Sequence, residues 1–210
     1  MTDDDASPAA VLRSLVARAV DVAPASLDGR VDVVERGSES AGDGEAGSDS
    51  PTPAGRLAEL VGEAGSVVAV VPRVDADLAR RLSASLATGE DRAGEGSDAE
   101  SGAVEGSDAE PGAGAPREVR VVFTDAASDR LTGATGAVVR RALADRGVDA
   151  YRHDGESPVA VVLADDRALV GLVDGDGVAA LLWTGDPAVR EWAAATCRRY
   201  LAAAEPVSEG

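Results

Sequence analysis

Residues 131–154 read LTGATGAVVRRALADRGVDAYRHD, and their Gly-x-x-Gly spacing is the spacing of a dinucleotide-binding turn. In such a turn the first glycine directly follows a strand and the pyrophosphate meets a helix N-terminus. A third glycine then lets that helix pack on the sheet. Here the apolar run EVRVVF ends at Phe123, TDAASDRL separates it from Thr132, and the third-glycine position is Val139. Too little chain follows for two mononucleotide-binding halves. Gly133 and Gly136 are therefore read as turn and helix-start residues.

The other reactive side chains are few. His153 is the only imidazole and sits in the polar stretch YRHDGESP, beside Asp154 and near Ser157. A Ser-His-Asp triad needs a positioned nucleophile, and no G-x-S-x-G elbow is present. His153 reads as a solvated turn residue. Cys197, the single cysteine, falls on the apolar side of an amphipathic segment and reads as a packed thiol. One cysteine and one histidine cannot assemble a zinc site, so no metal and no cofactor is expected. Asp165-Asp166 and Asp174/Asp176 fall in turn sequences, where aspartate serves the backbone. Trp183 and Trp192 are core anchors first, and Trp183, at a strand end, is also a candidate ring for a ligand pocket.

Charge narrows the partners. The net charge is −18, with Asp3–Asp5 carrying −3, residues 37–53 carrying −4 and residues 89–116 carrying −7. The remaining chain is only mildly acidic. Every basic residue is arginine, and lysine, asparagine, glutamine and isoleucine are absent. Carboxylate-rich, lysine-free loops suit a salt-adapted cytoplasm, and a GC-rich genome gives the same depletion. Direct nucleic-acid binding is not expected from this charge. Neither a membrane span nor a signal peptide is expected, which leaves a cytoplasmic location.

Periodicity supplies the elements that would position these groups. Residues 37–53 and 89–116 are Gly, Ser, Asp, Glu, Ala and Pro, cannot repay the entropy of ordering, and are read as disordered acidic insertions. The second contains the near-repeat EGSDAESGAV, EGSDAEPGAG. Ahead of them, residues 1–36 hold a helix capped by Ser7-Pro8 and a short strand. Residues 54–206 form the main α/β body. Within it a helix at Leu57–Ala64 precedes the strand VVAVV and a helix capped by Asp75. EVRVVF, a helix at about 136–146, four strands read as a meander, and a closing helix from Asp186-Pro187 complete the body. The expected fold is α/β, a single domain with a mixed sheet flanked by helices.

The stretch SPVAVVLADDRALVGLVDGDGVAALLWTGDPAVREWAAATCRRYLAAAEPV resembles the carboxy-terminal part of effector-sensing domains in archaeal transcriptional regulators of the TrmB type and the haloarchaeal TbsP type. The matching features are Val159–Ala164, the acidic turn Asp165-Asp166, Ala168–Gly171, the hairpin Gly175–Gly177, Ala179–Trp183, and Trp192-Ala193 through Tyr200. AELVGEAGSVVAVVPRVDADLARRL is similar to the preceding helix, strand and helix. The resemblance implies a phospholipase-D-like half. Phospholipase D enzymes carry H-x-K-x-x-x-x-D and, seven residues later, Gly. With Asp165 at the Asp position, Pro158 replaces His, Ala160 replaces Lys, and Gly171 comes one residue early. The nucleophile and its phosphate-binding lysine are missing, so no covalent phosphoryl chemistry is expected. The helix-turn-helix of such regulators finds no convincing counterpart.

The expected function is a non-catalytic, ligand-sensing regulatory domain of a transcriptional-regulator-like protein from a salt-adapted archaeon. Its effector would be a small molecule, a sugar or another metabolite, bound at the carboxyl ends of the strands near Arg73, Asp125 and Trp183. Arg73 is the candidate anchor for an anionic or hydroxylated ligand, with an exposed structural arginine as the plainer reading. No sugar-site residues carry over from the resemblance one by one. The alternative is an interaction module, a homodimer or a companion of another regulator, with no small-molecule ligand.

Overall fold

A computed structural model of the chain describes residues 7–37, 52–74, 76–94 and 118–207. Helix α1 (Pro8–Ala19) starts where Ser7 accepts a hydrogen bond from the Ala10 N–H, with Pro8 in the first turn. A 3-10 turn (Pro24–Leu27) leads to strand β1 (Asp32–Glu35). After the first acidic segment come α2 (Pro53–Gly62), β2 (Ser66–Val71) and α3 (Ala76–Gly94). After the second come β3 (Glu118–Phe123), α4 (Asp125–Asp129), α5 (Gly133–Ala144) and β4 (Val148–Arg152). The chain then runs through β5 (Ala160–Ala164), β6 (Arg167–Asp174), β7 (Gly177–Thr184), α6 (Pro187–Ala203) and the two-residue β8 (Glu205–Pro206).

The strands form one mixed sheet in the order β1-β7-β6-β5-β2-β3-β4-β8. β2, β3 and β4 are parallel, as α3 and α5 each return the chain to the starting edge. β5, β6 and β7 are joined by tight turns and are antiparallel. The expected α/β mixed sheet is therefore present, with three differences. VDAYR leaves the expected meander and pairs in parallel with β3 as β4. TDAASDRL, read as a spacer, holds the one-and-a-half-turn helix α4, whose Ala127 and Ser128 are buried. Helix α5 begins at Gly133, where a φ of 68° turns the chain into the helix earlier than the expected start near 136. The Asp75 cap and most of the acidic segments 37–53 and 89–116 lie outside the described residues, and α3 itself continues to Gly94.

The central strands bury both faces. On one face Val70, Val122, Val161, Val170 and Leu182 meet α1 and α6. On the other Val67, Ala69, Val119, Val162 and Leu169 meet α2 and α3. Phe123, Ala127 and Leu131 form a smaller cluster with α5. This explains why VVAVV and AVVLA are continuous apolar runs instead of alternating ones. A register shift between β6 and β7 opposite Leu172/Val173 puts Val178 on the same face as Leu181, although the two are an odd number of residues apart.

Helix α6 is locked at both ends of its buried face. Asp186 accepts hydrogen bonds from the Ala188 and Val189 N–H groups at 3.0 and 3.2 Å. The same carboxylate is ion-paired to Arg30. Thr184 Oγ1 donates to the Arg30 carbonyl at 2.6 Å and accepts from the Asp186 N–H at 2.9 Å. One carboxylate thus caps a helix and ties it to the chain that enters β1. Farther along α6, Cys197 is 2% exposed, its Sγ 3.7 Å from the Val68 carbonyl oxygen. Burial pushes its thiol up to about 11, so it stays protonated and is not a nucleophile.

Two outcomes follow from α6. Replacing Asp186 by Ala removes the cap and leaves Arg30 without its carboxylate, and should lower unfolding stability by about 2–3 kcal/mol in a denaturant titration. The unfolded chain releases the Cys197 proton near 9.0 and the folded chain only near 11, so stability should fall as pH rises between those values. The slope from this one group is about 1.4 kcal/mol per pH unit, and Cys197→Ala should flatten the stability curve there relative to the parent.

Candidate functional site

Coverage of the sheet is uneven on the α2/α3 face. Helices α2 and α3 pack together and toward β7, whereas α5 packs on β4. Between α3 and α5 the strands β2, β3 and β5 floor a cleft of about 340 Å³. Val121, Val162 and Leu169 lie on the floor, Leu82 belongs to the α3 wall, and Ala142 and Leu143 belong to the α5 wall. These positions share one face because directly paired residues in adjacent strands point the same way. Leu169, Val162, Ala69 and Val121 form one such row.

Polar side chains enter only at the margin, from Arg73, Ser83 and Arg146. No aspartate or glutamate is among the described lining residues. Arg73 is exposed just beyond the carboxyl end of β2 and has no hydrogen bond or ion pair among the described residues. Arg146, on the α5 side, donates from one Nη to the Ala142 carbonyl at 2.7 Å. The lining comes from elements scattered between Leu57 and Leu181, so no local spacing in the sequence announces it. The one available signal was that the strands are apolar on both faces.

The three residues singled out from the sequence are not gathered into one site. Arg73 lines the cleft. Asp125 follows Phe123 at the end of β3 in a left-handed conformation, φ 48°. Its Oδ2 accepts from the Ser157 N–H at 3.0 Å and from Thr124 Oγ1 at 3.2 Å, so its carboxylate fastens a turn. Trp183 shares the register row of Leu169 and Val162. It is covered by α2, with the Arg56 guanidinium carbon 5.1 Å from the ring centroid.

The positions of the phospholipase motif are equally clear. Pro158 is exposed ahead of β5, and Ala160 lies in the cleft floor, its methyl replacing any phosphate-binding ammonium. Asp165 stands in the β5–β6 turn with φ 48°. Its carboxylate accepts the Gly65 and Ser66 N–H groups, each at 2.8 Å, and the Ser66 hydroxyl at 3.1 Å. Donation from Gly65, then Ser66, holds this carboxyl below the usual carboxylate range. Asp165 therefore clamps the start of β2.

His153 is likewise engaged with its own turn. Its Nδ1 accepts from the Gly155 N–H at 2.7 Å and its ring lies 4.9 Å from that of Tyr200. Tyr200 donates its hydroxyl to the Glu156 carbonyl, and Ser157 donates to the Val159 carbonyl, each at 2.7 Å. Ser157, His153 and Asp125 thus sit around one turn without forming a relay among the described residues. Also among those residues, no cluster of His, Cys, Asp or Glu is suited to a metal ion, and no helix is long and apolar enough to cross a membrane.

Comparison with known proteins agrees with this geometry. Residues 112–203 match the family model described as the middle domain of the methanogenesis regulatory protein FilR1. No curated protein matches the chain. Among solved structures, Nuc from Salmonella typhimurium, a phospholipase D family member, aligns with a TM-score of 0.50 at 11% identity. That alignment covers 84% of this chain and 96% of the other. TrmBL2, described as an archaeal chromatin protein with a novel mode of DNA binding, aligns with a TM-score of 0.47 at 13% identity. It covers 84% of this chain and 53% of the TrmBL2 chain, so the chain spans about half of TrmBL2's length. Residues 112–203 are thus similar to the middle domain of the methanogenesis regulatory protein FilR1, and the described body has a phospholipase-D-like fold.

Proposed function

We propose that this chain is a regulatory domain that senses a small-molecule effector and performs no chemistry on it. The observation that carries the reading is the cleft between α3 and α5, about 340 Å³ in volume and floored by the central strands. That size falls within the range of small-molecule sites. Pro158 and Ala160 at the motif positions supply neither a nucleophile nor a phosphate-holding cation. The body 54–206 is the sensing unit, with Arg73 at the site and Trp183 beside it. The acidic segments 37–53 and 89–116 are solubilising insertions suited to a salt-rich archaeal cytoplasm.

A second reading draws on Val138, which is 69% exposed on α5 and lines the same cleft. On that reading the apolar strip is covered by another protein surface, in a homodimer or a complex with a partner regulator.

Thermal unfolding in molar salt, in the presence of sugars, sugar phosphates, nucleotides, amino acids and organic acids, separates the two. A ligand at about 100 times its dissociation constant should add about 2.7 kcal/mol and raise the melting temperature by a few degrees. It should also change the emission of Trp183, which Trp183→Phe would remove. A flat panel together with concentration-dependent dimerisation in sedimentation would replace the sensing reading with the interaction one.

A further inference from the structure

We propose that the effector is an amphipathic anion: a free molecule with a hydrocarbon body on the cleft floor and a carboxylate head at Arg73. The proposal rests on the sensing reading above and narrows it to a ligand class.

The floor argues for hydrocarbon. Val121, Val162 and Leu169 offer only methyl and methylene groups, and the α3 and α5 walls add Leu82 and Leu143. A sugar seated there would lose the water on its hydroxyls with almost no donor or acceptor to replace it, a cost paid for each buried hydroxyl. A hydrocarbon chain incurs no such cost and gains from leaving water.

The margin argues for an anion. Arg73 and Arg146 line the cleft without an acidic residue among the described lining positions, in a chain of net charge −18. Several arginines of the described surface are spent on carboxylates, among them Arg36 on Asp174, Arg56 on Glu59, Arg81 on Asp77 and Arg152 on Glu205. Arg73 has no such partner among the described residues and stands where β2 ends, next to the floor. Its planar fork matches a carboxylate in two parallel hydrogen bonds. The floor lies between two helix walls instead of on an open face, which suits a free molecule better than a bilayer surface.

The test uses the whole chain in molar salt and titrates straight-chain monocarboxylates of about four to about twelve carbons, with the matching alcohols, by calorimetry. Affinity for the acids should rise about fourfold per added methylene and level off once the cleft is filled. Arg73→Ala, at an exposed position, should melt like the parent without ligand, weaken each acid about tenfold, and leave the alcohols unchanged. Ala142→Phe, which fills the cleft from the α5 wall, should weaken acids and alcohols alike. Equal binding of acids and alcohols, or acids indifferent to Arg73→Ala, would overturn the anionic head. Binding of a sugar or nucleotide with no response to any chain would overturn the ligand class and keep the sensing reading. Binding to anionic phospholipid vesicles but not to monomeric acids would overturn the free-molecule assignment. A flat response to every compound would take down the sensing reading with the proposal.

Discussion

Strands β2 and β5 are apolar on both faces, and that single constraint arranges the remaining elements. A strand of this kind is stable only between two layers, so helices must be delivered to both sides of the sheet. On one side α1 and α6 meet the requirement, with Leu12, Val16, Val189 and Ala193 fully buried against it. Asp186 and Thr184 fix α6 to the residues entering β1, so the outer strand and the last helix hold each other in place. On the other side the same requirement is met only in part. α2 and α3 reach across β7, α5 reaches across β4, and the floor between them remains the cleft.

The cleft is thus a consequence of layering and not of any motif. Its floor needed nothing beyond valine, leucine and alanine in a sheet that was going to be apolar there anyway. On the sensing reading, specificity comes from the few groups at its edge, chiefly Arg73. This division of labour fits a binding domain on a fold whose enzymes use His and Lys at the positions held here by Pro158 and Ala160. The Asp of the motif persists because its role is mechanical. Asp165 holds Gly65 and Ser66 at the start of β2 and adopts the left-handed turn that β5 and β6 require.

The same logic explains the remaining reactive residues. Asp125, His153 and Ser157 have the side chains of a hydrolase, yet His153 and Ser157 bond the backbone of their own turn and Asp125 accepts from the Ser157 N–H. Cys197 is sealed under α6. Side-chain type alone therefore overstated the chemistry available, because it carries no information on which groups are already occupied.

Helices α1, α2 and α6 and most strands were legible from the sequence, since Ser7-Pro8, Asp186-Pro187 and the apolar runs are local signals of caps and buried strands. The residue types at the motif positions, Pro158 and Ala160, were legible too. Helix α4 was missed because its buried pair, Ala127 and Ser128, is too small and too short a run to show periodicity. β4 was misplaced because an apolar pentapeptide does not name its partner, and only the return of α5 across the sheet seats it beside β3. The sequence by itself determined the fold class, most of the elements and the residue types at the motif positions, all of which depend on residues close together in the chain. Only the tertiary structure decided that Arg73 borders a cleft while Asp125 and Trp183 are used elsewhere. That outcome depends on how far each helix reaches across the sheet, a distance set by packing between residues a hundred positions apart.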